Sequence, residues 1–276
     1  MVNPYNQNLD PNPANYQPLT PLSFLERASD VFPDFVAIIH GSQRFTYREF
    51  YTRSKQLASA LSKQGMKRGS TISTLLMNTP PMLEAHYGIP MCGAVIHAIN
   101  TRLDPATIAF QLDHADSQIL IFDQELSSVI QEVIGLCKVK PLLVCYQDEQ
   151  IEIKDSSKDT NLSSHKVIDY EKFIEVGDPD YQWLMPENEW DAISIGYTSG
   201  TTGDPKGVVS HHRGAYLLAQ GNALVASMPK HSVYLWTLPM FHCNGWCFPW
   251  TLSAIIGTHV CLRQVRAETI WKSIKD

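Results

Sequence analysis

The sequence predicts an α/β fold, with helices layered on largely parallel sheets. Three observations lead there. Short apolar runs alternate with helical stretches between residues 36 and 146, as strands joined by crossover helices do. A further apolar run, 192–196, leads into a loop dense in glycine and hydroxyl groups and then a second short strand, 208–210. Parallel sheets bind ligands beyond the carboxyl ends of their strands, and this loop lies at such an end.

The bulk properties suit a large globular domain. The chain has 276 residues, 44% of them hydrophobic and 18% charged. A chain of this length buries about three quarters of its unfolded surface. A net charge of −6 without a basic cluster argues against a nucleic-acid partner. No apolar run reaches the roughly eighteen residues of a membrane span. Residues 1–20 are rich in Asn and Pro, unlike a secretory signal or an Arg-rich transit peptide. Six cysteines, at positions 92, 137, 145, 243, 247 and 261, form no Cys-x-x-Cys pair, so free buried thiols are expected. His242, Cys243 and Cys247 lie close in sequence, but their spacing matches no standard zinc pattern and a fourth ligand is not evident.

In chain order, residues 1–19 read as an irregular arm. Thr20 and Pro21 have the form of an N-cap and a first helical residue, and Leu22, Leu25 and Ala28 recur at helical spacing until Pro33. Residues 36–40 and 44–46 read as a hairpin turning at Gly41 and Ser42. Thr46 and Glu49 have capping-box spacing, opening a helix with Phe50, Leu57, Ala60 and Leu61 on one face and Gly65 beyond its end. Strands follow at 71–77, 94–99, 119–122 and 142–146. Helices separate them at 80–92, from Asp104 and Pro105 onward, and at 126–136. Residues 147–166, dense in Asp, Ser, Lys and Glu, read as a solvated surface excursion. His211, His212 and Arg213 lead into a helix ending near Met228 and read as an exposed polar entrance. Residues 234–238 read as a strand running into Phe241 and His242, and a last helix starts near Arg266.

The chemistry concentrates at Tyr197-Thr198-Ser199-Gly200-Thr201-Thr202-Gly203-Asp204-Pro205-Lys206-Gly207. Gly200, Gly203 and Gly207 let backbone turn close to a ligand, and successive N–H groups in such turns form anion sites. Thr198, Ser199, Thr201 and Thr202 add hydroxyl donors, and Lys206 adds a compact cation. This describes a polyphosphate cradle. The P-loop pattern fails, because two residues rather than four separate Gly200 from Gly203. An ordinary glycine-rich strand connection is the plain alternative.

The run resembles the phosphate-binding signature of the AMP-forming adenylating enzymes, which include acyl-CoA synthetases, peptide-synthetase adenylation domains and luciferases. A second motif of that superfamily, an aromatic-His segment followed by Gly beside an aromatic, is matched by Phe241-His242, Gly245 and Trp246. Read alone, His242 is a satisfied core residue; the resemblance puts it instead at the acyl pocket. Phe45-Thr46-Tyr47-Arg48-Glu49, the stretch 65–76 and Ala98-Ile99-Asn100-Thr101-Arg102-Leu103 are similar to plant acyl-activating enzymes acting on short- or medium-chain acids.

The resemblance implies an acid–CoA ligase. A carboxylate would attack the α-phosphorus of ATP, and coenzyme A would then displace AMP. Catalytic roles fall to Lys206 and Thr202. Thr198, Ser199, Gly200, Thr201, Thr202, Gly203 and Lys206 would hold the phosphates, and His242, Gly245 and Trp246 would face the acid. Mg²⁺ would arrive with the nucleotide. Family members continue beyond the equivalent of Asp276, with the adenine, ribose and lid elements. The expectation is therefore the N-terminal part of the large AMP-binding domain, 20–276, truncated before the small C-terminal domain and weakly active or inactive alone. Adenylation for a carrier-protein thiol, and a non-catalytic product that binds nucleotide or a full-length partner, remain as alternatives. Cytosol is the default location. A peroxisomal address stays open, although Ser273-Ile274-Lys275-Asp276 is not such a signal.

Overall fold

The computed structural model describes residues 3–150, 166–198 and 205–275. The centre of the polar run and most of the glycine-rich loop lie outside these residues. Helix α1 (Leu22–Val31) starts one residue later than the sequence suggests, with Pro21 itself at the cap position. The Thr20 hydroxyl accepts from Leu22 N at 3.3 Å and meets His212 Nδ1 at 2.9 Å. Strands β1 (Val36–His40) and β2 (Gln43–Thr46) form the expected hairpin. Helix α2 (Tyr47–Lys63) opens on a complete capping box: Thr46 Oγ1 accepts from Glu49 N, and Glu49 accepts from Thr46 N at 2.7 Å.

The alternating section follows as β3 (Thr71–Leu75), α3 (Pro80–Met91), β4 (Val95–Ala98), α4 (Pro105–His114), β5 (Ser117–Asp123), α5 (Ser127–Leu136), β6 (Leu142–Tyr146), β7 (Val167–Asp169) and α6 (Tyr170–Glu175). Then come β8 (Ala192–Thr198), β9 (Lys206–His211), α7 (His212–Val225), β10 (Val233–Leu235) and β11 (Thr258–Val260). A short helix, Phe248–Ala254, precedes β11, and Ala267–Lys275 is helical.

The larger sheet has seven strands in the order β7-β6-β5-β3-β4-β8-β9, all parallel except β9. Side chains alternate across it. Ile119 and Ile121 join the core shared with α2 and α3, while Leu120 and Phe122 join the core beneath α4 and α5. Burial on both faces explains the nearly continuous apolar strands. A second, four-stranded sheet, β10-β11-β1-β2, packs into the first of these cores through Ala37 and Ile38.

Buried charge ties the two sheets together. Arg263, just past β11, donates to Asp123 at 2.5 Å and 2.7 Å and to Asp148 at 3.2 Å. His40 Nε2 on β1 meets Asp148 at 2.9 Å. Asp148, within the stretch expected to be solvated, is in fact buried. The Arg263 guanidinium and the His40 hydrogen bond explain how a carboxylate is held there. Burial opposes the Asp148 charge, yet the His40 hydrogen bond and backbone donors bring its pKa below the ordinary value.

Two other expectations need correction. His211 and His212 are not an exposed entrance: His211 Nδ1 accepts from Gly214 N at 2.8 Å, and His212 is buried against Thr20. The strand expected over 234–238 ends at Leu235. Thr237 N turns back to Leu235 O at 2.8 Å, and Asn78 Nδ2 takes the carbonyls of Trp236 and Leu238 at 2.9 Å and 3.0 Å.

Burial lowers the pKa of His86, His97 and His212 to about 4 and of His259 to about 3. The unfolded chain therefore binds more protons between these values and about 6.5, and stability is lost as pH falls through that window. Each imidazole contributes up to about 1.4 kcal/mol per pH unit there. The urea midpoint is expected to drop between about pH 7 and pH 5, before the ordinary carboxylate range. A flat midpoint would contradict these buried neutral histidines.

Candidate functional site

β8 runs parallel to β4, with Ser194 beside Ile96 and Ile195 beside His97. Its carboxyl end therefore shares an edge with the ends of β3, β4 and β5. β9 returns antiparallel and places Lys206 opposite Thr198 and Gly207 opposite Tyr197. Thr198 and Lys206 are both exposed, so a hydroxyl and an ammonium group flank the two ends of the loop. Ser199, Gly200, Thr201, Thr202 and Gly203 lie outside the described residues.

The root of the loop is anchored by its neighbours. Tyr197 OH lies 2.7 Å from His114 Nδ1, at the end of α4. Its ring sits 5.0 Å from the His97 ring, and burial raises the phenol pKa, keeping the hydroxyl protonated. His97 is held in turn by Ser73 Oγ at 2.8 Å, which also contacts the Ser117 hydroxyl.

The second motif is built by an unusual turn. Cys243, Asn244, Gly245, Trp246 and Cys247 all have positive φ, at 47°, 51°, 57°, 54° and 63°. Left-handed backbone costs a non-glycine residue about 1–2 kcal/mol, so neighbouring contacts must hold it. Asn244 is buried and donates from Nδ2 to Ser194 Oγ on β8 at 2.7 Å. Asn222 Nδ2 on α7 donates to Trp246 O at 2.7 Å. Gly245 lies on the Trp236 indole, where a Cβ would come within 2.9 Å of Cζ3. The turn thus buries Asn244 and Gly245 and leaves His242 and Trp246 exposed. The core-histidine reading of His242 is incorrect.

The Asn244–Ser194 bond joins the motifs on one strand. Ser194 and Thr198 are four residues apart, or about 13 Å along β8. Thr198, where the loop leaves β8, thus lies on the strand that anchors an imidazole- and indole-bearing turn, with Lys206 opposite it on β9. The exposed Lys206 ammonium suits an anionic group at this edge. Sequence reasoning missed Asn244, Ser194 and Asn78, which position the site without facing it; a lone polar residue in an apolar run was the available signal. Cys243 is exposed and Cys247 buried. Among the described residues, no group of three or more His, Cys, Asp or Glu is placed to hold a metal ion.

The AMP-binding enzyme family matches residues 25–276. The peroxisomal acetate/butyrate–CoA ligase AAE7 of Arabidopsis thaliana is 46% identical over 269 residues, covering 95% of this chain and 47% of that protein. The acetate–CoA ligase CCL3 of Humulus lupulus is 44% identical over 274 residues, covering 97% of this chain and 48% of its own length. The chain thus spans about half the length of the curated relatives it matches. The crystal structure of the anthranilate CoA ligase AuaEII in complex with anthranoyl-AMP superposes with a TM-score of 0.81 at 21% identity, over 95% of this chain and 48% of that one. The last likeness supports the fold alone.

The turn gives a direct test. Asn244→Ala leaves the buried Ser194 hydroxyl without this partner, at an expected cost of about 1–3 kcal/mol. Urea denaturation should show that loss, and amide exchange over residues 241–247 should accelerate. Unchanged stability and exchange would mean that the bond does not hold the turn.

Proposed function

The chain belongs to the AMP-binding enzyme family, and from that premise we propose that it supplies the phosphate- and acid-facing part of an acid–CoA ligase. The observation carrying this reading is the register of Thr198 with Lys206 on the strand that also anchors the His242–Trp246 turn. The substrate would be a short- or medium-chain carboxylic acid, in keeping with the acetate and butyrate in the relatives' names. The peroxisomal relative also supports a peroxisomal location over the cytosolic default.

The carboxylate attacks the α-phosphorus of ATP, pyrophosphate leaves, and the thiol of coenzyme A displaces AMP from the acyl-adenylate. Negative charge grows on the departing phosphates. Fixed donors stabilise such charge best, because they need no reorganisation during the reaction. Lys206, Thr198, Ser199, Thr201 and Thr202 supply those donors, and Gly200 and Gly203 let backbone N–H groups approach. His242, Gly245 and Trp246 face the acid, with His242 as a wall of the pocket rather than a base.

The donor set fits Mg²⁺ brought by the nucleotide. Residues 198–203 carry hydroxyls and glycines but no carboxylate, so the cation would be held mainly by phosphate oxygens. When bound, Mg²⁺ neutralises phosphate charge.

Carboxylate-dependent exchange of labelled pyrophosphate into ATP tests the proposal. It is measured on the chain alone and on the chain fused to the C-terminal half of a CoA-ligase relative, with acetate, butyrate and octanoate. The fusion is expected to exchange, and Lys206→Ala to reduce the rate on the order of 10²-fold or more. Absence of exchange with all three acids, or full activity in folded Lys206→Ala, would overturn the reading.

A further inference from the structure

Trp246 holds a half-exposed indole on a backbone that its residue type disfavours. It is 52% exposed. Its φ of 54° lies in the left-handed region, and Cys247 follows at 63°. Each such residue costs about 1–2 kcal/mol unless it is glycine. Asn244 and Gly245 are buried, and their packing helps to hold that conformation. Trp246 has less packing to rely on, so polar anchors on its backbone matter more.

Asn222, half-buried on α7, supplies them. Its Nδ2 donates to Trp246 O at 2.7 Å and to Thr251 Oγ1 at 3.3 Å. A carbonyl only accepts, so the amide nitrogen, not Oδ1, must face Trp246. The buried Thr251 hydroxyl donates its own proton to Cys247 O at 3.0 Å. The two N–H groups of one amide therefore secure two consecutive carbonyls. Trp246 is held directly and Cys247 through Thr251, and both belong to left-handed residues.

We propose that Asn222 is a positioning residue for Trp246: its amide holds the left-handed backbone from which the indole projects, and so governs how the acid is received. Allowed side-chain rotamers depend on backbone φ and ψ, so a change at the Trp246 backbone redirects the indole. The clamp also spans two parts of the site. β9 ends at His211 and α7 begins at His212, so Asn222 belongs to the segment that leaves the Thr198–Lys206 edge. Asn244 ties the same turn to β8. The consequence for the acid rests on the function proposed above; the clamp on Trp246 does not.

Two measurements separate the clamp from the enzymatic reading. The first is carbon-13 and nitrogen-15 NMR of the whole chain without substrate. In the unaltered protein the Cα and Cβ shifts of Trp246 should report left-handed backbone, and the Asn222 side-chain amide protons should exchange slowly with water. Asn222→Asp keeps the shape and, as a carboxylate, donates no hydrogen bond. It should move the Trp246 backbone and indole N–H signals while the Trp236 indole signal stays. Asn222→Ala, which adds no charge, should do the same. Fast exchange of the Asn222 amide, or unmoved Trp246 signals in a folded variant, would overturn the clamp. If neither variant folds, the shifts and amide exchange of the unaltered chain decide it. The second measurement uses the fusion described above. Asn222→Ala should raise the butyrate concentration giving half-maximal pyrophosphate exchange several-fold and leave that for ATP unchanged, as loss of acid binding requires. An unchanged value for butyrate, or an equal rise for both substrates, would overturn the role in receiving the acid. No exchange in the unaltered fusion would sink the enzymatic reading alone, with the clamp still decided by NMR.

Discussion

Ser194 and Ile195 on β8 pair in parallel with Ile96 and His97 on β4. That pairing gives β8 the direction of every strand from β7 to β4 and brings its end to their common edge. The antiparallel return of β9 then places Lys206 at that edge, opposite Thr198. Parallel order requires crossovers, and the crossovers cover both faces of the sheet. That edge is consequently one of the places where polar loops can gather without disrupting a core.

Hydrogen bonds from polar residues, the buried Asn244 and Asn78 and the exposed His114, shape this edge. Asn244 reaches Ser194, Asn78 bridges Trp236, Leu238 and Met240, and His114 meets Tyr197. None needs to contact a substrate. Together they hold a left-handed turn beside a strand end, a strained conformation of the kind found where surrounding contacts over-determine the backbone. The buried Arg263 cluster does related work farther away, fastening β11 and β1 to the ends of β5 and β6. Removing one member would leave a buried charge unpaired, which is strongly destabilising.

Local signals are legible in the sequence. Thr46 with Glu49 and Asp104 with Pro105 start helices where capping chemistry says they should. The alternation of apolar runs indicated the parallel sheet, and the glycine-hydroxyl run indicated the family. The sequence is silent where a distant partner decides the outcome. His212 is buried because Thr20 meets it across 192 positions, and Asp148 because His40 and Arg263 surround it. β10 stops at Leu235 because Asn78, far upstream, takes the next carbonyls. The gathering of β1, β2, β10 and β11 into one sheet was equally hidden, because strand pairing across long separations leaves no local pattern.

Phosphate binding at the β8–β9 edge, as proposed above, is open to direct measurement. Titration of the nitrogen-15-labelled chain with magnesium pyrophosphate tests it most directly, read at the amides of Thr198, Lys206 and Gly207. Saturable shifts confined to this edge and the adjoining turn at residues 241–247 are expected. No saturable shift up to millimolar concentrations, or shifts centred elsewhere on the molecule, would contradict it.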